Sequence, residues 1–550
     1  MVRWGRPVVV CAVLVLLISG SPAPPLAADA DGGVVVGIVG PFVGDPVVPQ
    51  TSFVVRDLPV VVPKTECRDF GSGAEYGTGS EASEPALSSA AGDPLLRRGT
   101  DTGRGRTPAP VVSFDGIDTL HSGCGYPPDT NGDVGPRHYV QIVNNAFAVY
   151  GKTGELLAGP ILIKTLWQGS GGTCEEVSGG DPNVLFDPLA HRWLLSAWAA
   201  TPQHPNEMCV AVSTGRDPTG TFHLYEFTAS DRGIDYPKFG VWPGAYYMSS
   251  NESASQPATS GAYAFDRRSM LDGLLARFVW FSGVARMMLP ADVDGRMRPP
   301  PGTDEYFYTF KDTIADGVAF DRIELYAFDV DWTDQEASTF ALTHIIPVSP
   351  FSELCSRNEE NITWDCIPQP APGERLDAGG WTPRFRFAYS NHGAYASLVG
   401  NWTVDVDGGH AGIRWFELRK RADGGGWLLR QEGTFAPDSD HRWMGGIAMD
   451  EGGNIALGYS VSGPDLAPSI RYAVRRAGDP KGTLRREASL MAGTGVQTAT
   501  DYRWGDYSSM SVDPADGCTF WYTNQYYAVT SVRLWSTRIG AFRVSNGCSR

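Results

Sequence analysis

From Val111 onward, short runs of β-branched and aromatic residues alternate with Gly, Asp, Asn and Pro at intervals of roughly 8 to 12 residues. Runs of this length, punctuated by turn residues, predict short antiparallel strands, and the period of an amphipathic helix is nearly absent. One unit of this pattern occurs twice. Phe186-Asp187 leads into a turn, a strand over Arg192 to Trp198, a strand over Cys209 to Ser213, and then Asp217-Pro218-Thr219-Gly220-Thr221. Met449-Asp450 leads into a turn, strands over Asn454 to Ser460 and Ile470 to Val474, and then Asp479-Pro480-Lys481-Gly482-Thr483. The paired aspartates are 30 and 29 residues apart (187 to 217, 450 to 479). A looser match joins Asp235-Tyr236-Pro237-Lys238-Phe239-Gly240-Val241 to Asp506-Tyr507-Ser508-Ser509-Met510-Ser511-Val512, each followed by an aromatic strand, Ala245 to Ser249 and Thr519 to Thr523. Four short strands per unit of roughly 60 to 70 residues predict an all-β fold, a six- or seven-bladed β-propeller over residues 111–545. A pair of β-sandwiches is the competing architecture.

The pattern differs ahead of that domain. Arg3 and Arg6 precede an apolar run from Pro7 to Ile18 and then small residues ending at Ala28-Asp29-Ala30, the three-part layout of a signal peptide over residues 1–30. The run of 12 residues (7 to 18) is short beside the roughly 20 that a spanning helix needs, so no membrane span is expected after cleavage. Residues 31–110 are rich in Gly, Pro, Ser, Ala and Val, and predict a low-complexity, disordered leader. The reading is of a secreted, extracellular protein, expected to be a monomer.

Charge and cysteine usage sharpen this. With 62 Asp+Glu against 45 Lys+Arg, a formal net charge of -17 excludes nucleic acid as a general partner. Of nine cysteines, Cys11 falls in the signal peptide, and the other eight favour disulfides in an exported chain. Local spacing favours Cys355 with Cys366, Cys174 with Cys209, and Cys518 with Cys548.

Candidate chemistry follows from the architecture. Innermost strands of a propeller start near one mouth of the central channel, which gathers residues far apart in sequence. Asp181, Lys238, His392, Arg442 and Arg503 are candidate ligand-binding residues there, and Asp235, Asp506 and Tyr507 candidate catalytic ones. Two facing carboxylates can serve as acid and base on a glycosidic bond, and Arg442 with Arg503 can clamp a carboxylate or sulfate. Asp129-x-Asn131-x-Asp133 places three oxygen donors at alternate positions, the spacing of a loop around a hard cation such as Ca2+. No Glu stands at the twelfth position, which excludes an EF-hand, and an Asx-rich turn is the competing reading. Adjacent aromatics at Tyr246-Tyr247, Trp521-Tyr522 and Tyr526-Tyr527 are expected to send one ring of each pair outward, available to stack on a sugar.

The segments Pro127 to Pro136 (PPDTNGDVGP), Asp235 to Pro243 (DYPKFGVWP), Gly412 to Leu418 and Arg503 to Met510 (RWGDYSSM) resemble a family of largely uncharacterised secreted bacterial proteins with a sialidase-like, BNR-type β-propeller domain. The resemblance implies export and fold, and brings no catalytic residues with it. Sialidase chemistry itself is disfavoured, because the Phe-Arg-Ile-Pro signature is missing and Arg384-Phe385-Arg386-Phe387 is a poor substitute. The expected function is binding of an extracellular ligand, foremost carbohydrate. The alternatives are a glycoside hydrolase or lyase using channel carboxylates, and an adhesin-like module that recognises a cell-surface partner.

Overall fold

Strands whose residues are apolar on both faces are buried on both faces, and strands with polar residues on one face lie at the periphery. Every residue of Ala146–Gly151 is buried, whereas Thr339–Pro347 is mostly exposed. The computed structural model describes residues 37–67, 92–96 and 103–544, apart from 203, 205, 230–231, 253–258, 285 and 356–364, together with the short strands Ala27–Ala28, Val34–Val35 and Gly71–Ser72. The signal peptide expected over 1–30 lies almost wholly outside the described residues.

The chain is an all-β β-propeller of consecutive four-stranded antiparallel sheets. The first sheet comprises Asn131–Val134, His138–Val143, Ala146–Gly151 and Leu156–Leu162. The second comprises Gly180–Asp187, Arg192–Ala199, Glu207–Ser213 and Phe222–Thr228. The third comprises Asp235–Val241, Tyr246–Glu252, Thr259–Phe265 and Phe278–Val284. Leu289–Val293, Glu305–Lys311, Arg322–Asp329 and Thr339–Pro347 make the fourth. Pro383–Asn391, Tyr395–Asp405, Ala411–Arg421 and Leu428–Phe435 make the fifth. His441–Met449, Ile455–Gly463, Leu466–Arg475 and Ala488–Met491 make the sixth. In the last sheet Ser509–Val512, Thr519–Tyr526 and Ser536–Arg543 are joined by Val112–Asp115, a strand from ahead of the first sheet that ties the two ends of the domain together.

The first strands of successive sheets pack side by side, and that of the last packs against that of the first, which closes a ring. Between the fourth and fifth sheets they pair directly and in parallel, Ala291 opposite Phe387. The third and fourth also approach closely: a Cβ on Gly240 would stand 2.2 Å from the carbonyl oxygen of Ala291, so only glycine fits there. The repeat read from the sequence falls in register, with Asp187 and Met449 ending the first strands of the second and sixth sheets.

Between sheets the core is aromatic. Tyr247 and Phe281 of the third sheet meet Phe328 of the fourth edge-on, with ring centroids 5.2 Å apart in each pair. All six residues of the Tyr246-Tyr247, Trp521-Tyr522 and Tyr526-Tyr527 pairs are buried, contrary to the expectation that one ring of each faces outward. Each sheet is sandwiched between two others, so neither face of these strands meets solvent.

Part of the stretch read as a disordered leader is a peripheral belt. Val39–Val43 extends the outer edge of the third sheet, and Gln50–Thr51 that of the second. Val61 N–H donates to Pro160 O at the first, Leu96 bridges to Thr434 of the fifth, and Gly103–Arg106 pairs with Arg485–Arg486 beside the sixth. These contacts are mostly backbone to backbone, which composition does not register. Disulfides join Cys174 to Cys209 and Cys355 to Cys366 as expected, and Cys67 of the belt to Cys124. Cys518 is also disulfide-bonded, and its expected partner Cys548 lies outside the described residues. No helix of the described residues is long and apolar enough to cross a membrane.

Candidate functional site

Residues that enter the first strands converge at one end of the ring. Asp129 precedes the first sheet, Asp181 and Asp235 lie in the opening residues of the second and third, and Arg503, Asp506 and Tyr507 precede the last. Asp129, Asp181 and Asp506 each offer a carboxylate oxygen, all within 4.8 Å of one another.

Backbone conformation directs these groups inward. Asp129, Asp181 and Tyr236 have φ of 45°, 50° and 53°, a left-handed conformation that costs a non-glycine residue about 1 kcal/mol or more. Each is locked by hydrogen bonds. Asn144 Nδ2 donates to Asp129 Oδ2 and Asp506 N–H to Asp129 Oδ1, at 2.9 and 2.8 Å. Asp181 N–H donates to Asn144 Oδ1 at 3.1 Å. Asp181 Oδ2 in turn accepts from Tyr236 N–H at 2.8 Å and from the indole of Trp198 at 3.0 Å.

Lys238 lies at the centre and is fully buried. Its ammonium stands 3.5 Å from the ring centroid of Tyr236 and 3.7 Å from that of Tyr507, and donates to Pro237 O at 3.0 Å. Burial drives its pKa down to about 8, against the pull of Asp181, Asp129, Asp506 and Asp235. The carboxyls respond in the opposite sense. Burial, then the Asp181 and Asp506 charges, raise Asp235 to about 7. Asp129 rises well above the usual carboxylate range, chiefly through burial and then through Asp506 and Asp181. Asp506 beside it holds the Arg503 guanidinium firmly charged, at 3.2 Å.

Two connecting segments, ahead of the first strands of the fifth and last sheets, flank the cluster. Asp377 N–H donates to Tyr502 O at 2.9 Å, and burial raises the Asp377 carboxyl to about 6. Below the cluster the axis is closed by Arg386, paired with Asp292 and Asp294 and reaching Met510 O. Access is therefore from the strand-start end, where Trp198, Asp235, Asn251, Arg503 and Asp506 keep partial exposure.

Of the residues expected here, Asp181, Asp235, Lys238, Arg503, Asp506 and Tyr507 assemble. Tyr507 is buried and its hydroxyl donates to Pro182 O at 3.1 Å, so it carries Lys238 on its ring and does not face the opening. His392 and Arg442 do not join. His392 follows the far end of the nine-residue strand Pro383–Asn391, roughly 30 Å of rise away, and stacks on Tyr395. Arg442 is spent within its own sheet, on Asp438 at 2.7 Å and Glu487 at 2.9 Å. The two-arginine clamp is therefore not built.

The donors Asp129, Asn131 and Asp133 diverge and do not fit a cation between them. Asn131 Oδ1 accepts from Val184 N–H and Asp133 Oδ2 from Phe186 N–H, fastening the first sheet to the second, while Asp129 turns to the cluster. The residues that could hold a metal are instead Asp129, Asp181 and Asp506, where Lys238 and Arg503 already supply positive charge. Trp198, Asn144, Asn251 and Asp377 were not among the site residues expected from the sequence. Trp198 had a usable signal, because the hairpin register places it opposite Gly180, next to Asp181.

No family model matches the chain, and no curated protein sequence does. Among solved structures, the chain is similar to an endo-arabinase from Bacteroides thetaiotaomicron, at 15% identity over 55% of this chain and 95% of that one, with a TM-score of 0.27. It is also similar to an α-L-arabinofuranosidase from Lactobacillus brevis, at 10% identity over 66% and 91%, with a TM-score of 0.29. An ulvan lyase of a polysaccharide lyase family covers 81% of this chain and 94% of its own at 11% identity, with a TM-score of 0.36. At these identities no residue of the cluster is carried over from them.

Proposed function

We propose that the chain is an exported propeller of seven blades, one per four-stranded sheet, that binds an uncharged carbohydrate at the mouth formed by Asp181, Trp198, Asp235, Asn251, Arg503 and Asp506. The observation that carries this reading is the partly buried Trp198 at the opening, its indole N–H held by Asp181 at 3.0 Å. An aromatic face packs on the C–H face of a sugar, and fixed carboxylates beside it accept from vicinal hydroxyls. Carboxylates outnumber cations in the cluster, and the arginine clamp is absent, which disfavours uronate and sulfate groups. On a glycan array, Trp198→Ala is expected to weaken binding of the wild-type hits by about ten-fold, the loss of one stacked contact of about 1.4 kcal/mol. Unchanged affinity with an unchanged thermal midpoint removes this reading, and silence of the wild-type protein on all glycans favours a protein partner.

A second reading, glycoside hydrolysis, is favoured by Asp235. Burial raises its carboxyl to about 7 and its side-chain contact with Asn251 is long, at 3.5 Å, so near neutral pH about half of it carries a proton that it can give. Asp235→Asn is expected to lower turnover by at least about 100-fold, with a far smaller change in affinity. Product analysis on each array hit checks this: turnover that survives the substitution sinks the assignment, and absence of turnover in the wild type leaves binding alone.

A further inference from the structure

Beside the mouth, a groove of about 450 Å3 lies over the first sheet, within the roughly 300 to 1,000 Å3 of ordinary ligand sites. One wall is the belt from Pro59 to Lys64. It is held by Val61 N–H on Pro160 O at 2.7 Å, Lys64 N–H on Leu120 O at 3.3 Å, and the Cys67–Cys124 disulfide. The floor is Leu162, Lys164 and Thr165, and the other wall Glu176 to Ser178.

Groove and mouth share their partition. Asn144 faces the mouth, where it holds both Asp129 and the backbone of Asp181, and the next residue, Asn145, lines the groove. Ser178 lines the groove three residues before Asp181. Its hydroxyl is buried and has no hydrogen-bond partner. The lining sets aliphatic side chains, Val60, Val62 and Leu162, against polar ones, Asn145 and Ser178, and against charges of both signs, Lys64, Lys164 and Glu176. A sugar ring presents that same division, with C–H groups on its faces and hydroxyls around its edge.

We propose that this groove is a distal subsite continuous with the mouth, so that the ligand is an uncharged oligosaccharide chain lying across the first sheet, one end of it at Asp181 and Trp198. The proposal rests on the carbohydrate reading of the mouth. It gives the belt a part in recognition, since Val60, Val62 and Lys64 belong to the stretch ahead of the propeller strands.

The test is a length series, from disaccharide to hexasaccharide, of whichever neutral glycan binds best on an array, measured by calorimetry with the full secreted chain. Affinity is expected to rise about ten-fold between disaccharide and tetrasaccharide, as the added rings fill the groove. Val62→Trp and Ser178→Phe, which fill it, are expected to abolish that gain and leave the disaccharide unchanged, whereas Asp181→Asn weakens every length. Affinity independent of length, or a gain that survives both filling variants, overturns the distal subsite and leaves the mouth standing. Binding of no glycan at all overturns the mouth reading and the subsite with it.

Discussion

Replacing Lys238 with methionine is expected to destabilise the protein by about 3 kcal/mol at pH 8, and by clearly less at pH 5. The ammonium is fully buried and is surrounded by Asp129, Asp181, Asp235 and Asp506, so its removal leaves Arg503 as their nearest counter-charge. The pH dependence has two limbs. The Asp235 carboxyl titrates near 7 instead of 3.8, so between those values the folded state holds more protons than the unfolded one, and stability falls as pH rises. Lys238 titrates near 8 instead of 10.5, so between those values the unfolded state holds more protons, and stability rises again. The wild-type denaturation midpoint should therefore pass through a minimum between about pH 7 and 8. In Lys238→Met the rising limb disappears and the carboxyls must take up protons or repel one another, so the midpoint declines from pH 5 through pH 8 without recovery by pH 10. Urea midpoints at pH 5, 7, 8 and 10 measure this. An equal loss at every pH would reduce Lys238 to a spacer between Tyr236 and Tyr507.

The gathering of the cluster was legible in the sequence wherever a residue's position along a first strand decides its place. Asp181, Asp235 and Asp506 stand at strand starts, so the repeat that locates the strands also locates them. Arg442 also stands at a strand start, but its direction is set by Asp438 and Glu487, and the latter arrives from 45 residues away (442 to 487). His392 fails for a simpler reason: it follows the other end of its strand. For Asp129, alternate spacing holds only while the backbone stays extended. Asn131 and Asp133 obey it and face the second sheet, but a φ of 45° turns Asp129 out of the alternation and into the mouth. The adjacent aromatics were misread because a rule for two-faced sheets assumes that one face is wet, and in a ring of stacked sheets neither is.

The belt is where composition misled most, and Asp93→Ala is expected to expose how much the fold depends on it, at a cost of about 3 kcal/mol. Asp93 and Arg414 of the fifth sheet form an ion pair at 2.8 Å in which neither side chain has any exposure. Thr434 Oγ1 donates to the same carboxylate at 2.9 Å, and Asp93 N–H donates to Val406 O at 3.0 Å. Truncating the aspartate strands a desolvated guanidinium whose other acidic neighbour, Glu432, is 3.5 Å away, and loss of that compensation outweighs the small loss of packing. The double variant Asp93→Ala, Arg414→Met should recover more than about 1 kcal/mol relative to the sum of the singles, since the pair is coupled and the stranded charge is gone. Additive losses in that cycle would mean that the two side chains do not act together. The same reasoning extends to the chain as a whole. A fragment beginning at Val111 lacks Asp93, the added strands of the second and third sheets, and Cys67, the partner of Cys124. It should unfold at a lower urea concentration than the full chain by more than Asp93→Ala alone, because exposed strand edges and an open disulfide add to the lost ion pair. A fragment with an unchanged midpoint would make the stretch before Val111 an appendage, and would remove the belt from the account of both the fold and the groove.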